Sequence, residues 1–266
     1  MNDRVTVPSL RRMKRRGEKI VMLTAYDFPF ARIFDQVGID ILLVGDTLGC
    51  VVQGHETTLP VTLDESIYHC RMVARAARRS LVVGDMPFGS YQTSEAQAMD
   101  TAVRFIKEGG VQAVKLEGGA RVADRIEAIA RMDVPVMGHV GLTPQSVHAV
   151  GGYRVQGRGE KAHERVLHEA LAVQEAGAFA VVLECVPRDL AFEITNQLEI
   201  PTIGIGAGVG CDGQVLVMHD MLGLESGSLP RFVRQYVDLS SIVRRAAQMY
   251  AEDVRLQKFP GDHESY

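Results

Sequence analysis

Short apolar runs punctuate the chain from end to end: Ile20 to Ala25, Ile41 to Val44, Leu81 to Val83, Ala113 to Leu116, Val134 to Met137, Phe179 to Leu183, Thr202 to Ile205 and Val215 to Met218. They are rich in Val, Ile and Leu and do not alternate with polar residues, the signature of parallel strands covered on both faces. The stretches between them carry helical spacing. Phe30, Ile33, Phe34 and Val37 recur at three and four residues ahead of Gly38, so a helix capped by that glycine is predicted. Thr62 with Glu65 forms a capping-box signature before 67–77, and Thr93 or Ser94 opens a helix that stops at Gly109-Gly110. A helix over 161–176 ends at Gly177, and Leu190, Ile194 and Leu198 share one face of another that stops before Pro201.

Eight strands alternating with helices, with no linker-like segment, predict an α/β chain folded as one closed (β/α)8 TIM barrel, and 266 residues suit that size. An open doubly wound sheet is the alternative the pattern leaves. The barrel domain is expected to take in 1–266, with 226–266 as a C-terminal arm. Within that arm Ser226 to Pro230 reads as a loop and Leu239 to Leu256 as an amphipathic helical extension.

Composition narrows the setting. The chain is 46% hydrophobic and 23% charged with a net charge of −4, which suits a packed soluble core and offers no broad basic footprint for nucleic acid. The basic run Arg11, Arg12, Lys14, Arg15, Arg16 reads as the solvated face of a short first helix. Cys50, Cys70, Cys185 and Cys211 stand far apart without a C-x-x-C pair, which argues for reduced thiols and a cytoplasmic location. No signal peptide or membrane span is expected, because no segment reaches the ~20 consecutive apolar residues a span needs.

The chemistry lies where the apolar runs end. Asp46 follows the second run, Asp85 the third, Glu117 the fourth, His139 the fifth and Glu184 the sixth, with Gly204 to Gly208 at the seventh. In a (β/α)8 barrel these ends converge on the active face. Asp46, Asp85 and Glu117 would gather three carboxylates that need a compensating cation, and all-oxygen ligands point to Mg²⁺. The bland reading of each acid is a cap for the helix after its strand. Lys115, two residues before Glu117, shares its side of the strand and requires an anionic partner if that side is the interior. Glu184 ends an apolar strand, where partial burial would raise its pKa toward that of a general base. Its alternative is an acid that holds a loop. His139 could bind substrate or metal, or be structural, and His219 before Asp220 carries the same ambiguity. GIGAG (204–208) reads as a tight turn rather than a nucleotide loop.

Several longer strings are distinctive: LTAYD (23–27), LVGDTLG (43–49), VQGHETTLPVTLDE (52–65), GDMPFGSY (84–91), VKLEGG (114–119), GHVGLTPQS (138–146), GGYRVQGRG (151–159), LECVP (183–187) and GIGAGVGCDGQVLVMHD (204–220). On these the chain resembles the ketopantoate hydroxymethyltransferase family from about Val21 to Asp220. The resemblance implies a barrel of the phosphoenolpyruvate/pyruvate type, a Mg²⁺ requirement, and hydroxymethyl transfer from 5,10-methylenetetrahydrofolate to 3-methyl-2-oxobutanoate, giving 2-dehydropantoate. It implies metal ligation by Asp46, Asp85 and Glu117, and substrate binding by Asp46, Thr47, Asp85 and Lys115. His139 is added from its own position. The resemblance also implies proton removal by Glu184, and a homo-oligomer, a decamer of pentameric rings, with the 2-oxo acid and folate as small-molecule partners. Thr47 stands where the family commonly has serine. A metal-dependent 2-oxo-acid lyase or mutase, and a non-catalytic oligomeric scaffold, are the competing readings.

Overall fold

A computed structural model describes residues 4–152, 154–224 and 229–266. Backbone contacts divide the chain into two compact units, Met1–Val217 and Met218–Tyr266. The first holds a closed barrel of eight parallel strands in sequential order: β1 (Ile20–Thr24), β2 (Ile41–Val44), β3 (Leu81–Asp85), β4 (Ala113–Glu117), β5 (Val136–Gly141), β6 (Ala180–Glu184), β7 (Thr202–Ile205) and β8 (Gly213–Leu216). Closure through the β1–β8 ladder, Ile20 opposite Gly213 and Leu23 opposite Leu216, rules out the open sheet.

Its helices are α1 (Val7–Arg16), α2 (Phe28–Gln36), α3 (Leu48–Val51), α4 (Leu63–Ala76), α5 (Glu95–Arg104), α6 (Ala123–Ala130), α7 (Val147–Val150), α8 (Glu160–Glu175) and α9 (Arg188–Gln197). The Thr62–Glu65 capping box opens α4 as predicted, satisfying two orphan amide donors. Ser94, not Thr93, caps α5. The predicted helix to Gly109 changes pitch on the way, becoming a π-helical turn over Phe105–Gly109. That turn seats Phe105 against Gly84 on the outer face of β3, where an added Cβ would lie 2.5 Å from the ring.

Strand alternation builds the interior. Ile20 and Met22, Ile41 and Leu43, Leu81 and Val83, Ala113, Met137, Ala180 and Val182, Ile203 and Val215 form one apolar cluster, which Val5 and Leu10 from the N-terminal segment join from below. The intervening residues Leu42, Val82, Val114, Val181 and Leu183 are fully buried on the opposite strand face. Both faces of these strands are therefore apolar in their lower halves, which is why the runs show no alternation in sequence.

The second unit contains α10 (Met218–Leu222), α11 (Leu239–Arg255) and a 3₁₀ turn over Asp262–Glu264. The eighth predicted run is displaced. The strand covers Gly213–Leu216, so His219 and Asp220 sit on α10 and not at a strand end. No residue of α11 is buried. Most of the expected Ser226 to Pro230 loop lies outside the described residues. Among the described residues no helix is long and apolar enough to cross a membrane.

Candidate active site

The alternation that fills the barrel with aliphatic side chains changes chemistry near the C-terminal strand ends. Along β3 the inward series runs Leu81, Val83, Asp85; along β4, Ala113, Lys115, Glu117; along β5, Met137, His139; along β6, Ala180, Val182, Glu184. Asp46 and Thr47 enter from the turn after β2. The upper members of these series, with Asp46, Thr47, Thr24, Leu43 and Ile205, line a cavity of about 50 Å³ at the mouth. All seven residues expected at the site, Asp46, Thr47, Asp85, Lys115, Glu117, His139 and Glu184, line it.

A chain of polar contacts crosses this mouth. The Lys115 Nζ lies 2.8 Å from Asp85 Oδ1 and donates to His139 Nδ1 at 3.2 Å. His139 Nε2 stands 3.2 Å from Glu184 Oε2. Burial, then the Lys115 charge, lowers the imidazole pKa, so the ring is neutral near pH 7. A neutral ring that accepts at Nδ1 carries its proton on Nε2, facing Glu184. Burial pulls the Lys115 ammonium down, but Asp85, Glu117 and Asp46 together outweigh it and leave it above its ordinary value. The lysine is thus a fixed cation inside the barrel, with the anionic partners its position demanded.

One ammonium does not balance the acids. Burial raises the Asp85 carboxyl, opposed by Lys115 and reinforced by Asp46. Burial also lifts Glu117 well above the usual carboxylate range, again with Asp46 adding to the rise. Asp85 Oδ1 and His139 Nε2 are buried without a well-directed hydrogen bond despite their close ionic neighbours. Among the described residues no three His, Cys, Asp or Glu side chains form a closed metal cage. Mg²⁺ does not ask for one, since it takes one or two carboxylates and completes its shell with water and substrate oxygens. Buried carboxyl groups that outnumber the single ammonium, and an all-oxygen donor set, fit such an ion.

The capping alternative for the acids fails. The helix caps are Thr62 for α4 and Ser94 for α5, while α3 and α6 have no side-chain cap. Asp85 Oδ2 instead accepts from the Asp46 amide at 3.2 Å. Glu117 Oε2 accepts from the Gln145 amide at 3.0 Å.

Gln145 and Tyr91 were not singled out in the sequence, yet they organise the acids. The Gln145 side-chain amide donates to Asp46 Oδ2 at 2.9 Å and to the Met86 carbonyl at 3.0 Å. Its oxygen accepts from the Tyr91 hydroxyl at 2.7 Å, and the same hydroxyl accepts from the Glu117 amide at 3.1 Å. Both residues fall in the distinctive strings 84–91 and 138–146. That membership was the only signal available, because an uncharged polar residue on a loop has no periodicity to betray it.

The turn after β6 is set with comparable care. Cys185 adopts a left-handed φ of 49°, an uncommon backbone for a side chain with a Cβ. It is held by Cys185 N to Ile205 O and Gln156 N to Cys185 O, both 2.8 Å. Glu184's own carbonyl accepts from the Leu142 amide at 2.9 Å. Gly141, at φ 92°, permits that approach, since any Cβ there would run into the Glu184 carbonyl. Burial, then the Glu184 charge, pushes the Cys185 thiol up to about 11, so it is no thiolate nucleophile at neutral pH.

A closed (β/α)8 barrel whose inward strand ends carry acids, a lysine and a histidine has the architecture of a barrel enzyme with its site at the C-terminal strand ends. Solved structures share this architecture: phosphonopyruvate hydrolase in complex with oxalate and Mg²⁺ superposes with a TM-score of 0.61 at 12% identity, covering 97% of this chain and 92% of that one. A 2,3-dimethylmalate lyase gives 0.58 at 16% identity, covering 98% and 91%. At such identities the likeness is one of fold. The family model for ketopantoate hydroxymethyltransferase matches residues 4–262, and this chain belongs to that family. It is 57% identical over 266 residues, the full length of both chains, to the 3-methyl-2-oxobutanoate hydroxymethyltransferase of Desulforapulum autotrophicum. It is 56% identical, again over both full lengths, to that of Syntrophotalea carbinolica.

Proposed function

We propose that this protein transfers a hydroxymethyl group to C3 of 3-methyl-2-oxobutanoate, forming 2-dehydropantoate, with 5,10-methylenetetrahydrofolate as the one-carbon donor. Family membership over nearly the whole chain supports the reaction. The observation that carries the site assignment is the run Asp85–Lys115–His139–Glu184, each member within 3.2 Å of the next.

Asp46, Asp85 and Glu117 would hold Mg²⁺, which would supply Lewis acidity toward the 2-oxo acid. Lys115 places a permanent positive charge beside the carboxylate and developing enolate of the substrate. Glu184 removes the C3 proton, and the Nε2–H of His139 holds its carboxylate in place. Water opens the methylene bridge of the folate and supplies the hydroxyl oxygen, the carbanion forms the new carbon–carbon bond to that formaldehyde-level carbon, and tetrahydrofolate leaves. Gln145 and Tyr91 keep Asp46 and Glu117 in register while this happens. Thr47 brings a hydroxyl to the same wall, and its methyl group narrows the carboxylate end of the pocket.

NMR detection of 2-dehydropantoate from the 2-oxo acid and methylenetetrahydrofolate tests this reading. Product that requires folate and Mg²⁺ and disappears in Asp85→Ala is the expected result. Metal-dependent exchange of the C3 proton with D₂O, without product, would keep the enolate site and overturn the transferase, leaving lyase or mutase chemistry. An inert wild type would favour the scaffold.

A further inference from the structure

Glu117 lines the mouth on one side and, on the other, a cleft of about 190 Å³ that is also lined by Gln145, Phe88, Tyr91, Arg121 and Arg125. Its character is opposite to that of the mouth. Arg121 is exposed, donates to Ser146 Oγ at 2.9 Å and makes no ion pair among the described residues. Arg125 is engaged at its two terminal nitrogens, by Asp124 and by the Gln92 carbonyl, while its Nε is buried with no partner. Phe88, in the same lining, is 50% exposed.

A second groove lies on the other side of Phe88, but its cation, Arg104, is already taken by Asp64 and Glu108. The cleft beside Glu117 is therefore the one with donors to spare. A ligand that suits it pairs a flat aromatic group with carboxylates.

We propose that this cleft receives the p-aminobenzoyl-glutamate tail of the folate, with Arg121 and Arg125 engaging the glutamyl carboxylates and Phe88 packing on the aryl ring. The inference rests on the folate-dependent reaction proposed above. The reacting carbon sits between two nitrogens at the pterin end, whereas the carboxylates terminate the opposite end. The mouth, crowded with Asp46, Asp85, Glu117 and Glu184, repels a dicarboxylate. The tail must leave past the wall of the mouth, and beyond Glu117 lie the Arg121 guanidinium, without an ion pair among the described residues, and the partnerless Nε–H of Arg125.

Equilibrium binding of tetrahydrofolate and of tetrahydropteroate, which lacks the glutamate, separates tail recognition from everything else. Wild type is expected to prefer tetrahydrofolate by about tenfold, the scale of one or two partly exposed charge-assisted contacts, and to lose part of that preference at high salt. The double variant Arg121→Gln/Arg125→Gln should bring the ratio near one. Arg125→Lys, which keeps the charge, should retain most of it. Exchange of the substrate C3 proton in D₂O with Mg²⁺ present should run at the wild-type rate in all variants, and this also reports their folding. Equal binding of the two folates by wild type, or a ratio unmoved in the double variant, overturns the inference. Failure of wild-type C3 exchange would instead overturn the reaction proposed above, and the binding ratio would still decide the cleft.

Discussion

Asp40 and Asp85 stand at opposite ends of neighbouring strands and have opposite fates. Asp40, below β2, accepts from the Val21 amide at 3.0 Å and from Arg79 Nη2 at 2.9 Å. Asp85, at the top of β3, shares a buried cavity with three other carboxylates, and one of its oxygens lacks a well-directed donor. The contrast extends around each rim. At the lower rim Asp212 binds Lys14 at 2.7 Å and the Thr202 amide at 2.9 Å, and Asp35 takes the Arg79 and Ser80 amides at 2.9 and 2.7 Å. At the upper rim burial raises Asp85 and Glu117; at the lower, hydrogen bonds overcome burial and leave Asp35 below its ordinary value. Satisfied acids at the lower rim stabilise the fold, while at the upper rim the barrel tolerates strain that a ligand can relieve.

The sharpest way to break this contrast is to remove one acid from each rim. Glu184→Gln is expected to lower kcat about a thousandfold, as befits loss of a general base, and to move Tm by no more than about 2 °C, since Glu184 is no part of the core. Asp212→Ala should do the reverse. It strands the Thr202 amide and leaves the partly buried Lys14 with the Thr195 carbonyl in place of its anion, a cost of about 3 kcal/mol, or roughly 6–12 °C in Tm for a chain of this size, while kcat of the folded enzyme stays at the wild-type value. Thermal scanning beside steady-state kinetics checks both. If Glu184→Gln unfolded the protein, or if Asp212→Ala abolished turnover at low temperature, the division between the rims would be wrong.

A smaller effect sharpens the upper rim. His139 touches Lys115 on one side and Glu184 on the other, so His139→Asn should reduce kcat by about 10- to 100-fold by loosening Glu184. KM for the 2-oxo acid should change less than kcat, because Lys115 and the carboxylates remain. A larger rise in KM than fall in kcat would mean that the imidazole binds substrate instead of holding the base.

The two rims were not equally legible in the sequence. The upper one announced itself because period-two alternation brings Asp85, Lys115, Glu117, His139 and Glu184 to the ends of apolar runs, and a bland role that could explain any one of them does not explain their joint register. The lower one uses residues such as Asp35, Ser80 and Thr202, whose partners are backbone amides that no spacing rule reveals. The misplaced eighth strand has a similar cause. Gly213 and Gln214 lack apolar weight, yet the strand begins there because Gly213 must pass the Ile20 carbonyl, where a Cβ would lie only 2.5 Å away. α6 gave no sign either, since it has no capping side chain and no terminal glycine. Gln145 escaped notice because its importance lies in five hydrogen bonds that only the folded loop assembles.

The subtlest expected effect concerns acid. Asp35 is buried at the lower rim, and although burial alone would raise its carboxyl, amide hydrogen bonds from Ser80, Arg79 and Arg78 hold it below the ordinary value. A depressed folded-state pKa means that the unfolded chain binds the proton first. The stabilisation is therefore complete above the unfolded value of about 4 and is lost as pH falls through the folded one. Asp35→Asn keeps an oxygen for the Arg79 and Ser80 amides but sets an NH₂ group against the Arg78 amide, which should cost about 1 kcal/mol near neutrality. The gap in Tm between wild type and variant should then narrow as the pH is taken from 6 to below about 4, where wild-type Asp35 becomes neutral too. A gap that stayed constant over that range would show that Asp35 is not held ionised by its amide donors, and would remove the electrostatic half of the contrast between the two rims.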